Sequence, residues 1–319
     1  MTAARVITET IPSALAGQRI DRVVAMVAGV SRSQALTLLE AGMVTVSNAV
    51  PDKPSQRVEV DDVVVIEVHD LDDSLEADAS VPITVVYADD DVVVVDKQAG
   101  LVVHPGSGVT DGTLIQGLLS RFPALGELAA ADPDSERPGV VHRIDRGTSG
   151  LLVVALNEDA YRHLVGQFSS RSVGRLYTAL VVGDLESDAG LIDAPLGRSP
   201  RDPIRRAVVT DGKAARTQYR VIHRFTDPRC SLVECRLETG RTHQIRAHFT
   251  AIDHPIVGDD RYGGSRLGLP LERPFLHAAE LRFEHPRTGE TMRFESALPD
   301  DLAVVVSRLE TESGRTSGG

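Results

Sequence analysis

Apolar and polar residues alternate with two different periods in the first seventy residues, and the periods predict two helices followed by two strands. Apolar residues within 17–29 recur at the spacing of one helix face. A second helix is predicted over 31–42, from a Ser cap to a terminal glycine. The segments 43–52 and 57–68 alternate as strands joined by turns. The pattern therefore predicts a small α/β unit.

The rest of the chain is predicted to form one larger domain. Two β-branched segments flank the acidic turn at residues 89–91, which predicts a hairpin, and residues 229–237 alternate as a strand. Residues 124–138 are expected to form a surface loop. The predicted organisation is an extension at 1–16, the small domain at 17–69, an acidic linker at 70–82, the large domain at 83–310 and a disordered tail at 311–319.

Composition places the protein among globular cytoplasmic proteins. Its 319 residues suggest about two domains, and 42% of them are hydrophobic. There is no long apolar segment of the kind that spans a membrane or serves as a signal peptide. Cys230 and Cys235 lie on one predicted strand, too far apart for a disulfide, and are expected to be thiols in a reducing compartment.

The net charge of −12 argues against a nucleic-acid partner, but the charge is distributed unevenly along the chain, and this distribution favours one. Residues 1–100 carry 17 acids and 7 bases, a net charge of −10. Residues 137–266 carry 20 bases and 15 acids, a net charge of +5. Because phosphate binding depends on the local field, the second region is the predicted phosphate-binding part.

Asp145 is the residue whose position most needs a chemical explanation. It lies within the largely apolar segment 140–156, between Arg143 and Arg146, and a Gly-Thr-Ser-Gly turn follows at residues 147–150. A buried carboxylate without a partner becomes protonated, so we expect a cation beside it. The candidates are Arg241 and Arg246, in the segment 237–249. Spacing alone equally allows a structural Asp–Arg pair in the core.

Longer motifs turn this expectation into a family resemblance. The segment "HRIDRGTSG" resembles the signature of the RluA/RluD family of RNA pseudouridine synthases, and residues 17–69 resemble the S4 RNA-binding domain. Further matching segments, in order, are "DKQAGLVVHPG", "RLYTALVVG", "DGKAARTQYRVI", "LETGRTHQIRAHF", "HPIVGDDRYGG" and "FLHAAELRFEHP". The resemblance implies an α+β pseudouridine synthase fold: a large, mixed, mostly antiparallel sheet with flanking helices, plus the S4-like domain.

The resemblance also implies roles for individual residues. Asp145 would be the catalytic carboxylate, attacking either the base or the ribose of a target uridine. Tyr177 would stack on the uracil and relay a proton, Arg246 would pair with Asp145, and Arg143 would fill the stack that the everted nucleotide leaves. The other residues expected to contact substrate or RNA are His142, Arg241, His243, Gln244, Ile245, Arg19, Arg32 and Lys53. No cofactor and no metal are expected.

Several alternatives remain open at this stage. The substrate is expected to be large-subunit (23S) ribosomal RNA, with transfer RNA as the alternative. A non-catalytic RNA-binding ribosome-assembly factor would keep the same fold. His104, His142 and His243 lie near the acid in the motifs, but their spacing is not typical of a metal site. Two departures from the family pattern, Gln98 and Gly147, leave the predicted catalytic residues intact.

Overall fold

The chain folds into two compact units, a small one that consists mainly of the residues before Asp78 and a large one that holds most of the residues after it. The computed structural model describes residues 5–30, 32–68, 76–105, 109, 111–131, 137–202 and 204–316. Within these residues, no helix combines the length and the apolar character needed to cross a membrane.

The small unit is a three-stranded antiparallel sheet with two helices packed against it. Its elements are β1 (Arg5–Thr10), α1 (Ile20–Ala28), α2 (Arg32–Glu40), β2 (Val44–Val46) and β3 (Val63–Val68), and the strand order is β1-β3-β2. The predicted helices and strands are therefore present. Ser47 and Asn48 follow β2 with φ of 48° and 68°, so Asn48 does accept the left-handed backbone that a tight turn requires.

The predicted boundary at residue 16 does not separate an extension from the small unit. Residues 5–10 form β1, which pairs antiparallel with β3 from Arg5 opposite Val68 to Thr10 opposite Val63. Most of β1 is exposed, so its side chains carry little hydrophobic signal. Backbone hydrogen bonds to β3 place this strand, and such pairing is invisible to side-chain periodicity.

The large unit is built around one mostly antiparallel sheet in the order β4-β5-β6-β13-β7-β12-β11-β8, with β14 paired to β13. Among the described strands, only β6 and β13 run parallel to each other. This mixed sheet is the one that was predicted. Its elements, with a separate β9–β10 pair, are β4 (Thr84–Ala88), β5 (Val92–Lys97), α3 (Leu114–Arg121), α4 (Ala124–Ala131), β6 (Ser149–Ala155), α5 (Glu158–Ser170), β7 (Gly174–Val182), β8 (Ala189–Asp193), β9 (Leu196–Arg198), β10 (Arg206–Val208), β11 (Arg216–Thr226), β12 (Arg229–Leu237), α6 (Gln244–Ala251), a 3₁₀ turn (Asp260–Tyr262), β13 (Leu276–Glu284), β14 (Thr291–Glu295) and α7 (Asp300–Thr316).

Strands β5 and β6 form the interior of this sheet because their side chains are apolar on both faces. All seven residues of β6 are buried. Helix α5 covers one face through Ala160 and Leu164, and Asn157 caps it by accepting a hydrogen bond from the Ala160 N–H at 2.9 Å. The segment that carries Asp145 enters directly into β6, so the most buried strand of the sheet anchors it.

Part of the predicted acidic linker belongs to the large unit. Residues 70–75 lie outside the described residues, whereas 78–82 pack on the domain. The Asp78 N–H donates to the Gln116 carbonyl at 2.9 Å, and the Val81 side chain is 5% exposed. The acids dominated the composition of this segment, but one apolar residue and one backbone bond decide where it packs.

Two other segments differ from the sequence prediction. Residues 124–131 of the expected surface loop form helix α4. The tail expected to be disordered from residue 311 instead continues α7 through Thr316. Leu302, Val305 and Leu309 are fully buried at helical spacing, so they anchor α7, and the helix extends beyond them into the Ser/Gly/Thr-rich sequence.

Candidate active site

The loop between residues 140 and 148 is held in place by backbone contacts in its C-terminal half. The Asp145 carbonyl accepts a hydrogen bond from the Thr148 N–H at 3.0 Å, and the Arg146 carbonyl accepts one from the Gly100 N–H at 2.7 Å. Gly150 has φ of 112°, and a Cβ there would lie 2.3 Å from the Ala278 carbonyl oxygen. The turn "GTSG" therefore lets β6 approach β13 closely, and this approach fixes the Asp145 backbone.

Lys97 joins this loop to the end of β5. Its side chain is 1% exposed, and Nζ donates to the carbonyls of Gln98, Leu101 and Arg146 at 2.9, 2.8 and 3.4 Å. Burial lowers the pKa of Lys97 to about 7, although the nearby charge of Asp145 opposes the shift. Sequence reasoning missed this residue, although an isolated lysine at the end of an apolar strand is a recognisable signal.

Asp145 is paired with Arg246 and not with Arg241, the other candidate that the sequence offered. Arg246 Nη1 donates to Asp145 Oδ2 at 3.0 Å, and the two side chains are 9% and 18% exposed. The other candidate, Arg241, is exposed and donates through Nε to the Ala214 carbonyl at 3.1 Å. Asp145 thus lies at the edge of solvent, with a guanidinium fixing one of its oxygens.

A second carboxylate holds Arg246 in position. Asp259, which is 1% exposed, accepts two hydrogen bonds from Arg246, from Nε at 2.6 Å and from Nη2 at 2.9 Å. The Tyr262 ring lies against the same guanidinium, 4.7 Å from its carbon. Burial by itself lowers the pKa of Arg246, but the bonds and charges of Asp259 and Asp145 outweigh it and raise that pKa above its ordinary value.

Asp259 and Tyr262 were not among the residues predicted from the sequence. They lie in the segment "HPIVGDDRYGG", which was recognised only as a matching motif. The signal that would have found Asp259 is similar to the one that found Asp145, an acid placed next to apolar residues. Tyr262 is polar only at its hydroxyl, which accepts a hydrogen bond from the Arg206 N–H at 2.8 Å.

The start of α6 brings together three of the predicted RNA contacts, and the structure assigns two of them to the interior. His243 is half-buried in a left-handed conformation, with φ of 56°, and its Nδ1 lies 2.8 Å from the Tyr262 hydroxyl. Burial lowers the pKa of His243, against the opposing charge of Asp145. Gln244 and Ile245 are only 3% and 4% exposed, so neither presents a surface to RNA.

Gln244 instead closes the turn that precedes α6. Its Oε1 accepts from the Thr239 hydroxyl at 2.7 Å and from the Arg241 N–H at 3.0 Å. Its Nε2 donates to the Arg216 carbonyl and the Thr217 hydroxyl, both at 3.0 Å. The structure therefore gives Gln244 a role inside the protein that was not predicted, because a side chain that makes these four hydrogen bonds has no free donor or acceptor left.

Arg143 and His142 occupy different environments although they are adjacent. Arg143 is exposed two residues before Asp145, and its Nη1 lies 3.5 Å from His104 Nε2. His142 stacks on Phe168 with ring centroids 4.6 Å apart, and its Nε2 accepts from the Val153 N–H at 3.1 Å. His142 therefore supports β6, which differs from its predicted contact with RNA, while Arg143 remains accessible.

Tyr177 lies on β7, in the sheet beside the Asp145 loop. It is 6% exposed and pairs with Ala278 of β13, the residue that approaches Gly150. Burial raises the pKa of Tyr177, the nearby Arg175 opposes the shift, and Asp145 adds to it. The phenol therefore stays protonated at neutral pH and presents a hydroxyl rather than a phenolate.

Two of the basic residues predicted on the small unit are described in full. Arg19 is exposed and donates to Asp21 through Nε at 3.1 Å and through Nη2 at 2.8 Å. Lys53 is exposed. Arg32 begins α2, and its side chain lies outside the described residues. The cation of Arg19 is therefore partly neutralised, which leaves Lys53 as the more available positive charge of the pair.

Among the described residues, Asp89, Asp91 and His285 place potential metal-ligand atoms within 4.8 Å of one another. Asp89 already accepts from the Tyr87 hydroxyl at 2.7 Å, and His285 Nε2 lies 2.8 Å from the same carboxylate. Arg287 donates to Asp91 at 2.7 Å. These contacts account for the cluster as a hydrogen-bonded brace of the β4–β5 hairpin, and the three histidines considered from the sequence form no comparable group among the described residues.

The geometry supports nucleophilic chemistry at one carboxylate. Asp145 keeps one oxygen in a charge-assisted hydrogen bond, which leaves its other oxygen available to a substrate at the rim of the site. The buried Tyr177 lies in the sheet beside the Asp145 loop, and the exposed Arg143 lies two residues before Asp145 in the sequence. Such a site can form and break a covalent bond to an electrophilic carbon.

Comparison with known proteins gives a consistent result. The sequence pattern of a family described as RNA pseudouridylate synthase matches residues 91–251, and that of the S4 domain matches residues 18–64. "Ribosomal large subunit pseudouridine synthase D" of Nitrosomonas europaea is 40% identical over 308 residues, which cover 94% of this chain and 87% of the relative. The protein of the same name from Xanthomonas campestris pv. campestris is 42% identical over 321 residues, covering 96% and 93%.

A solved structure agrees with this relationship. "Human RNA Pseudouridylate Synthase Domain Containing 1" superposes with a TM-score of 0.54 at 28% identity. The match covers 70% of this chain and 86% of the human chain.

Proposed function

The chain belongs to the RNA pseudouridylate synthase family, and from this premise we propose that it isomerises specific uridines of large-subunit ribosomal RNA, with Asp145 as the catalytic carboxylate. Two relatives that match nearly the whole chain carry names that specify the large ribosomal subunit. The observation that carries the catalytic assignment is the Asp145–Arg246 pair at 3.0 Å, at the edge of solvent.

The reaction requires that the N1–C1′ bond of uridine break and a C5–C1′ bond form. In the first step, Asp145 attacks either the ribose C1′ or the base, because both carbons are electrophilic. On the first route the N1–C1′ bond breaks as the carboxylate bonds to C1′, the base rotates within the site, and C5 then bonds to C1′ as the carboxylate leaves. On the second route the carboxylate bonds to C6 of the base, the N1–C1′ bond breaks, and C5 bonds to C1′ after rotation; the electrons on N1 then expel the carboxylate from C6. Loss of the C5 proton and protonation of N1 complete an isomerisation in which nothing is oxidised, reduced or released.

The neighbours of Asp145 have separate tasks in this proposal. Arg246 holds one carboxylate oxygen, and Asp259 holds Arg246, so the nucleophile is oriented before substrate arrives. Tyr177 lines the site with its ring and offers its hydroxyl for proton transfer at C5. The exposed Arg143 occupies the gap in the RNA stack after the target nucleotide is everted. We place the protein in the cytoplasm, where this substrate is made.

Replacing Asp145 tests the proposal directly. We expect Asp145→Asn to bind RNA normally and to lose pseudouridine formation, because an amide is a poor nucleophile while its shape and hydrogen bond are retained. The measurement is tritium release from RNA containing [5-³H]uridine, together with RNA affinity. Asp188→Asn is the matched control, since Asp188 pairs with Arg224 but its side chain is 86% exposed. Tritium release by the Asp145 variant at the normal rate would refute the assignment.

The choice of RNA is tested separately. Pseudouridines are mapped in all RNA from cells that lack the protein and from cells with it restored. We expect modified positions to disappear from large-subunit ribosomal RNA and to return on complementation. Loss confined to transfer RNA would refute the ribosomal substrate and leave the chemistry of Asp145 standing.

A further inference from the structure

Arg175 is a buried cation without a counter-ion beside the proposed catalytic site. It lies on β7 and is 7% exposed. Its Nε is buried and has no hydrogen-bond partner, and among the residues that the structure describes the guanidinium forms no ion pair with a carboxylate. Arg246, the other buried arginine of the site, has two carboxylates. Arg175 was not predicted as a site residue from the sequence.

The position of Arg175 is set by the surfaces packed around it. Its guanidinium carbon lies 5.3 Å from the centre of the Phe168 ring. A Cβ built on Gly240 would lie 2.6 Å from Arg175 Nη1, so the backbone of the turn before α6 runs directly against the guanidinium. Gly240 thus leaves space that any larger residue would take from the cation.

Arg175 faces the same side of the sheet as Tyr177. Alternate residues of a strand point to the same face, and these two residues are separated by one position on β7. The guanidinium and the phenol are also close enough to influence each other's charge. The unpaired donors of Arg175 therefore belong to the surface on which the uracil of an everted nucleotide would lie.

A structural role does not account for this arrangement. Burying a charge is costly unless hydrogen bonds and an opposite charge compensate for it. Phe168 supplies a ring face, which is a weak partner for a desolvated cation. Perturbed and incompletely satisfied charges are concentrated at functional sites, where a substrate completes the interaction.

We propose that Arg175 binds a carbonyl oxygen of the everted uracil and stabilises the negative charge that develops on the base. This inference rests on the proposed function and names a further substrate-binding residue for the same site. If Asp145 attacks C1′, the electrons of the broken N1–C1′ bond spread onto O2 and O4. If Asp145 adds to the base, an enolate forms whose charge lies on O4. A guanidinium at a uracil carbonyl therefore assists both routes.

The depth of Arg175 favours the base over the RNA backbone as its ligand. Phosphates follow the outside of a bound strand, where exposed arginines such as Arg143 are available. Arg175 is 7% exposed, so a planar base that enters the site can reach it, whereas the RNA backbone is too bulky to do so. A phosphate contact would also contribute mainly to affinity and to its salt dependence.

The central test compares Arg175→Met with Arg175→Lys. We expect Arg175→Met to lower the single-turnover rate at saturating RNA by about 100-fold, the typical cost of losing one charge-stabilising donor. RNA affinity and the salt dependence of binding should stay nearly unchanged. Arg175→Lys should recover part of the rate because it restores a cation. Arg220→Met is the matched control, since it removes an exposed arginine from β11 of the same sheet.

Thermal unfolding separates this role from a structural one. Because the methionine variant removes an unpaired buried charge, its melting temperature should equal or exceed that of the wild type while its rate falls. Gly240→Ala provides a second variant that leaves the arginine in place. The added methyl group must displace Nη1, so we expect an intermediate loss of rate with the fold intact.

Three results would overturn the role of Arg175. A wild-type rate for Arg175→Met would show that the cation does not act on the base. A lower melting temperature with a proportionate loss of active protein would show that it is structural. Weaker binding with a shallower salt dependence and a normal saturated rate would assign it to phosphate. Each of these leaves Asp145→Asn inactive, whereas an active Asp145→Asn would refute the catalytic assignment of Asp145 on which this inference rests.

Discussion

The most quantitative prediction concerns Asp259, because the chain contains a second ion pair of the same geometry in a different environment. Arg246 donates to Asp259 at 2.6 and 2.9 Å, and Arg273 donates to Asp301 at 2.6 and 2.9 Å. The Asp259 side chain is 1% exposed, whereas that of Asp301 is 51% exposed. The two arginines are similarly buried, at 9% and 12% exposed, so replacing each acid with asparagine isolates the effect of burying the carboxylate.

We expect a large difference in stability between the two variants. Breaking the buried Arg246–Asp259 pair leaves the guanidinium with Asp145 as its remaining carboxylate partner, and loss of a buried pair costs about 3–5 kcal/mol of unfolding free energy. An exposed pair contributes ~0–1 kcal/mol. For a domain of this size, each kcal/mol lowers the melting temperature by about 2–4 °C. Asp259→Asn should therefore melt roughly 6–20 °C below the wild type, and Asp301→Asn less than about 4 °C below it.

Calorimetry or circular dichroism on the full-length protein measures these shifts, and single-turnover tritium release measures the effect on activity below the melting range. Because Asp259 orients Arg246, and Arg246 holds Asp145, we expect the folded Asp259→Asn protein to lose about 100-fold in rate, as small misplacements of reacting groups do. Equal melting shifts for the two variants would refute the argument from burial. A folded Asp259→Asn protein with full activity would refute the positioning of Asp145 through Arg246.

Two further predictions concern Lys97 and Gln244. The folded-state pKa of Lys97, about 7, lies below the ordinary value of 10.5. Between these pH values the folded state therefore binds fewer protons than the unfolded state. Lys97 thus makes the unfolding free energy rise by up to about 1.4 kcal/mol per pH unit from pH 7 to 10.5. Lys97→Met should lose that slope in denaturant titrations from pH 7.5 to 9.5, and an unchanged slope would contradict the burial of a neutral amine. Gln244→Ala should lower unfolding free energy by about 2–4 kcal/mol because several buried groups lose their partner, while RNA affinity stays the same; weaker RNA binding in a stable protein would restore Gln244 as a contact.

Sequence periodicity predicted several elements of the fold. The alternation in residues 229–237 corresponds to β12, and the two β-branched segments around residues 89–91 form the β4–β5 hairpin. Side-chain pattern reports which face of an element is buried, so it succeeds where burial decides structure. It failed at β1, whose exposed residues are placed by backbone pairing, and at α7, whose buried residues lie before the polar end of the helix.

Within the site, sequence alone established that Asp145 needs a cation, since this follows from the cost of burying a carboxylate. The chain could not state which arginine supplies it. Asp145 and Arg246 lie 101 positions apart, and they meet because β6 and the start of α6 approach each other only in the folded sheet. The same holds for Asp259, which determines the orientation of Arg246.

Motif and residue type were also insufficient to separate residues that contact substrate from residues that support the fold. Gln244 and His142 share motifs with Arg246 and Asp145, yet their polar atoms are used inside the protein. Arg175 differs from both, because its buried Nε has no hydrogen-bond partner. The sequence by itself thus determined part of the elements and the need for a charged pair. Only the tertiary structure decided which polar groups are satisfied, because hydrogen-bond partners distant in the chain are chosen by how the sheet brings them together.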